Sequence, residues 1–86
     1  MIENDLKEFI EIWRAANEVY SKTQTDAATA LSFKLLENYS IGDVREAIKL
    51  HLSDPDDGRF SPTPAHVIGK LNEIMHWRAS TDKTEY

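Results

Sequence analysis

Between Asp5 and Tyr20 apolar residues return every three or four positions, as Leu6, Phe9, Ile10 and Trp13, with Asn17 and Tyr20 continuing the line. That spacing sets them along one side of a helix. Ile12, Ala16 and Val19 carry the stripe round a second side, which predicts a central first helix touched by more than one neighbour. Full burial of Phe9, Ile10 or Trp13 contributes roughly 1.5–3 kcal/mol each. After the polar break Ser21 to Gln24, Thr25 suits an N-cap and Asp26 lies in the first turn, where the helix dipole favours negative charge. Ala27, Ala28, Leu31 and Leu35 form the expected inner face of this second helix, its alanines permitting close approach to the first. Phe33 and Leu36 fall off that line, and Asn38 and Tyr39 close the helix.

Ser40 caps a third helix, and Asp43 three residues on makes a variant of the reciprocal capping box. Ile41, Val44, Ala47, Ile48 and Leu52 are its inner face. His51 shares that arc in the last turn, where the carbonyl ends favour an imidazolium. Asp54 precedes a proline and is disfavoured from helical geometry, so the helix stops there. Thr63 and Pro64 read as N-cap and first residue of a fourth helix, since proline's missing N–H would be unpaired at that position. Its stripe is Val67, Ile68, Leu71, Ile74 and Met75, ending near Arg78, with Trp77 off the stripe on the side of Lys70 and Glu73. No stretch alternates with period two. The expectation is an all-α, small four-helix domain over residues 1–78, with a long loop between helices three and four and a flexible polar tail over 79–86.

Composition narrows the chemistry. A chain of 86 residues has room for one thin core and a stability of about 5 kcal/mol or a little more. It has no cysteine, which excludes disulfides, a thiolate nucleophile and cysteine-ligated zinc. The opening MIENDLKEFIEIW has charges every few residues and no apolar run, so neither a signal peptide nor a membrane span is expected. Fifteen acidic against ten basic residues give a net charge of −5, which opposes long-range attraction to nucleic acid. These features suit a cytoplasmic protein of reducing surroundings.

The stretch SDPDDGRFSPTPA, from Ser53 to Ala65, holds all three prolines and one of the three glycines. Its aspartates resemble a calcium loop, but counting from Asp54 the glycine is fifth, not sixth, and position twelve is Ala65 where a glutamate is required. A turn capped by aspartates accounts for it. His51, His66 and His76 have no metal-ligand spacing, and Gly42, Gly58 and Gly69 fit neither a P-loop nor a dinucleotide fingerprint. Nothing marks an oriented base or an oxyanion site beside a serine. The expectation is a protein without enzymatic activity, cofactor or metal. About ten residues separate helices three and four, whereas a DNA-reading helix-turn-helix uses a turn of about three or four. The fourth helix, beginning TPAHVIGKLNE, has no arginine in its first two turns. Protein–protein recognition remains, for which Trp77 and the Arg59–Phe60 pair are suited residue types. Phe60, between a glycine-containing turn and a proline, is nonetheless expected to plug the gap between helices three and four, and its loss to alanine to cost about 3–5 kcal/mol.

From Leu35 to Leu71 the chain reads LLENYSIGDVREAIKLHLSDPDDGRFSPTPAHVIGKL. Tyr39, Val44, Ala47, His51, Arg59, Phe60, Pro62, Thr63 and Ala65 form a pattern of helix end, histidine-terminated helix, polar loop and Arg-Phe-x-Pro-Thr opening. This pattern resembles the N-terminal domain of phage proteins that load and inhibit the replicative DNA helicase. The resemblance implies a compact helical domain of a phage or prophage that engages the helicase of its bacterial host without hydrolysing ATP. Members of that family continue into a flexible C-terminal region implicated in helicase contact. This sequence ends soon after the fourth helix, so the expectation is either that the short tail and the Trp77 face serve instead or that the domain has another partner. Arg59, His66, Lys70, Trp77 and Arg78 are the expected partner-binding residues, with Phe60 and Trp13 in the core. Two rivals stand beside this reading: a nucleic-acid binder using its aromatics on single strands, and an inhibitor of a different host complex such as a defence system.

Overall fold

The computed structural model describes the backbone of residues 1–84 and the side chains of residues 1–79. The four periodic stripes and their caps become α1 (Leu6–Glu18), α2 (Asp26–Leu36), α3 (Ile41–Ser53) and α4 (Pro64–Thr84). Short 3-10 turns lie at Glu3–Asp5 and Asp57–Arg59, and there is no strand among the described residues. The second turn sits inside the connection between α3 and α4, so that connection is a folded excursion and not an open loop. No helix among the described residues is long and apolar enough to cross a membrane.

Helix α1 packs on α2 and α3, and α4 packs on α3 and α2, with the α3–α4 contact the most extensive. The helices therefore close a ring around the core. The double-width stripe of α1 does meet two neighbours, but so does every other helix, and α1 is not the hub that its breadth suggested. Phe9, Trp13 and Ala16 from α1, Leu36 from α2, Val44, Ala47 and Ile48 from α3, and Val67 and Leu71 from α4 are the buried apolar residues. Phe9 stacks on Trp13 with ring centroids 5.5 Å apart and meets Phe33 edge-on at the same separation.

The caps form where the sequence places them. Thr25 Oγ1 accepts the amide of Ala28 at 3.0 Å, and Ser40 Oγ accepts that of Asp43 at 3.2 Å. Asp43 turns its carboxylate to α4, taking hydrogen bonds of 2.7 and 3.2 Å from the Arg78 guanidinium. Helix α1 ends when Ser21 enters the left-handed region at φ 57°, letting the Lys22 amide return to the Asn17 carbonyl at 3.1 Å. For a residue with a β-carbon that conformation costs on the order of 1–2 kcal/mol.

Two expectations are corrected. Helix α2 is rotated about its axis: Thr29, Ser32 and Leu36 are buried and Phe33 is half-buried, while Leu31 is 62% and Leu35 53% exposed. The inward hydroxyls are satisfied within the helix, Thr29 donating to the Thr25 carbonyl and Ser32 to that of Ala28, both at 2.9 Å. Burying them therefore leaves no polar group unpaired, and the same rotation brings Phe33 onto Phe9. Helix α4 continues past Arg78 to Thr84. Most of the segment expected as a flexible tail, 79–86, thus has helical backbone, and residues 85–86 lie outside the described residues.

Candidate functional site

The segment from Asp54 to Thr63 is anchored by side chains that the preceding helices bring to it. Asn17 at the end of α1 is buried; its amide nitrogen donates to the Trp13 carbonyl at 2.9 Å, leaving Oδ1 to accept the Ser61 hydroxyl at 2.8 Å. The Tyr20 hydroxyl donates to the Gly58 carbonyl at 2.5 Å. His51, buried in the last turn of α3, lies 2.8 Å through Nε2 from the Phe60 carbonyl. A carbonyl only accepts, so Nε2 carries the proton. Gly58 lies so close to the end of α3 that a β-carbon there would stand 2.9 Å from the His51 carbonyl oxygen. Glycine is what permits the approach.

These anchors overturn the expected role of Phe60. Its backbone is extended (φ −109°, ψ 143°) and its carbonyl is drawn inward by His51, so its ring points outward and is 56% exposed. Between α3 and α4 the buried His51 ring packs on His66 at 4.7 Å, and of the residues around Phe60 it is Pro62 that is buried. The Arg59 guanidinium lies over the Phe60 ring at 5.5 Å from its centroid, while its Nε donates to the Asp56 carbonyl at 3.2 Å. An aromatic ring and a guanidinium are thus displayed together on a loop fastened at the residues on either side.

The acidic run is structural. Asp54 Oδ1 accepts the amides of Asp56 and Asp57 at 2.8 and 3.1 Å, and Oδ2 accepts the Lys70 ammonium at 2.5 Å. Lys70 is only 7% exposed and also faces Asp57 at 3.6 Å and Glu73 at 3.7 Å. The cluster that resembled a calcium loop holds its own cation. The Lys70 ammonium, helped by the two amides, lowers the Asp54 carboxyl to about 2, and Asp54 in turn raises Lys70.

Of the five expected contact residues, the structure brings Arg59, His66 and Lys70 to this loop and places Trp77 and Arg78 farther along α4. Lys70 faces inward and is withdrawn from any partner. His66 is half-buried; its Nδ1 accepts the Thr63 amide at 3.3 Å and Thr63 Oγ1 accepts the His66 amide at 3.3 Å. That is a reciprocal cap with histidine in the place usual for glutamate, and the His66 ring also packs on His51 at 4.7 Å. Arg78 keeps its side chain 61% exposed while tying α4 to α3 through Asp43, whose carboxyl it lowers. Trp77 is 73% exposed. Arg59, Trp77 and Arg78 are the exposed residues of the five, and Phe60 joins them as a residue the sequence reading assigned to the core. No periodic signal could have placed Phe60, because outside a helix the direction of a side chain depends on which carbonyl the fold draws inward. Compared with known proteins, the chain matches no family model, no curated protein and no solved structure.

Proposed function

We propose that this chain is a protein-recognition module of a phage or prophage, without catalytic activity, that engages the replicative helicase of a bacterial host. It acts by occupying a helicase surface, so that ring loading or activity is redirected sterically. The observation that carries this reading is the outward Arg59–Phe60 pair on a fastened loop, within the segment where the resemblance to helicase loader-and-inhibitor proteins is strongest. Aromatic residues and arginine are enriched in protein interfaces, and a loop held in place in advance loses less entropy on binding. Trp77 extends the accessible surface along α4. A nucleic-acid reading has less support, because two of the cations near this face are engaged by carboxylates, Lys70 by Asp54 and Arg78 by Asp43.

Titration of the purified helicase against the wild-type chain and against Arg59→Ala and Phe60→Ala tests the proposal. Each variant should bind at least about tenfold more weakly, a loss of about 1.4 kcal/mol, while Phe60→Ala changes folding stability by less than about 1 kcal/mol. Capture of a nuclease or a surveillance complex in place of the helicase would sink the helicase reading. Salt-sensitive binding to labelled single-stranded DNA would favour the nucleic-acid rival.

A further inference from the structure

The outer face of α2 is the least explained surface of the molecule. Two i, i+4 rows run side by side along it: Ala27, Leu31 and Leu35 in one, Asp26, Ala30 and Lys34 in the other. All six residues are exposed, including the two leucines that the hydrophobic pattern would have turned inward. Leaving two leucines largely in water forgoes part of the stabilisation that their burial would bring. The inward face meanwhile holds Thr29 and Ser32.

The order of residues along these rows is self-complementary under a two-fold rotation. If a second α2 lies antiparallel with the axis between Ala30 and Leu31, Leu35 of one copy lies opposite Ala27 of the other and the two Leu31 side chains meet beside the axis. Lys34 then lies opposite the partner's Asp26, with the small Ala30 side chains on the other side of the axis. Asp26 is paired with Arg14 of its own chain through Oδ1 at 2.6 Å but keeps its side chain 95% exposed, so it has room for a second cation, and Lys34 makes none of the ion pairs among the described residues. An isologous contact needs this pattern, in which residue i meets j and j meets i. A parallel pairing would set Asp26 against Asp26 and Lys34 against Lys34.

We infer that the outer face of α2 is a homodimer interface, formed by antiparallel pairing with α2 of a second copy of this chain. An 11-residue helix is about 16 Å long. One such helix pair buries less than the ~1,200 Å² of a stable complex, so the dimer is weak and concentration-dependent. The inference stands apart from the helicase reading, since it uses neither the loop nor α4.

Sedimentation equilibrium on the whole chain, from micromolar to about 1 mM, should show a monomer–dimer equilibrium. Leu31→Lys keeps a good helix former at an exposed position and should weaken dimerisation at least tenfold with helicity unchanged. Asp26→Lys and Lys34→Asp should each weaken it, and the double exchange should restore it. Because the chain has no cysteine, Ala30→Cys gives a clean geometric readout: mild oxidation should link two copies, whereas Glu46→Cys on the outer side of α3 should stay monomeric. A monomer at every concentration, or a dimer indifferent to Leu31→Lys and to the charge exchange, overturns the inference. So does a chain that never self-associates but loses binding to another protein when Leu31 is changed, which would assign the face to that partner.

Discussion

Helices α2 and α3 begin alike and end differently. Each starts at a hydroxyl cap, Thr25 or Ser40, with an aspartate in its first turn. Each offers an apolar stripe of helical period. In α3 the stripe is the buried face: Val44, Ala47, Ile48 and His51 all point into the core. In α2 the better apolar stripe faces water and a poorer one, Thr29, Ser32, Phe33 and Leu36, faces α1 and α4. Helix α3 lies between α1 and α4 and is fastened at its end to the loop, so one rotation serves all its contacts. Helix α2 needs only a place for Phe33 against Phe9 and for Leu36 in the core, and its hydroxyls cost little to bury because the helix backbone satisfies them. The difference shows that amphipathicity ranks the faces of a helix, but its large inward side chains and the neighbours they meet choose between close competitors.

The contrast is sharpest at two leucines five positions apart in α2. Leu36→Ala should cost about 2–5 kcal/mol in denaturant unfolding, as a buried leucine does. Leu31→Ala, measured at a concentration where the chain is monomeric, should stay within about 0.5 kcal/mol of wild type. Comparable losses would mean that α2 is not rotated as described. At the end of α3, Gly58→Ala should destabilise by about 1–3 kcal/mol, because the new methyl group meets the His51 carbonyl, a backbone atom that cannot swing aside. A neutral result in thermal melts would mean that the loop does not lie so tightly on α3. The caps are the feature both helices share, so Thr25→Ala and Ser40→Ala should each cost about 1 kcal/mol. A much larger loss at Ser40 would add evidence that α3 is the more tightly coupled helix.

The smallest effect is electrostatic and lies where the turn ending α3 meets α4. Because Asp54 is lowered to about 2 from its ordinary 3.8, its contribution is fully present above about pH 4 and fades as the pH falls towards 2. Asp54 is partly exposed, so solvent screens the pair and the effect is modest. Asp54→Asn, which keeps an acceptor for the Asp56 and Asp57 amides but removes the charge, should flatten the fall of melting temperature across that window. An unchanged slope would assign the acid sensitivity to other carboxylates.

Much of the fold was legible because it is written in local terms. The hydroxyl caps at Thr25 and Ser40, the proline start of α4 and the inward stripe of α3 each depend on residues within one or two turns. The candidate site was legible only as a place. Aspartates, glycine and prolines marked the Asp54–Pro64 stretch, yet the sequence put Phe60 inside and Lys70 outside, and the structure reverses both. Lys70 is drawn in because the turn after α3 collects Asp54 and Asp57 beside α4, a juxtaposition across about sixteen positions that no spacing rule sees. Phe60 is turned out because His51 takes its carbonyl.

By itself the sequence determined an all-α chain, the starts of its helices and which residues could carry a core. These follow from hydrogen-bond patterns and periodicities that close within a few residues. Only the tertiary structure decided which side of α2 is inner, which ring of the loop is displayed and which cation is enclosed. Each of those is a contest between nearly equal local options, and it is settled by the atoms that distant segments bring up against them.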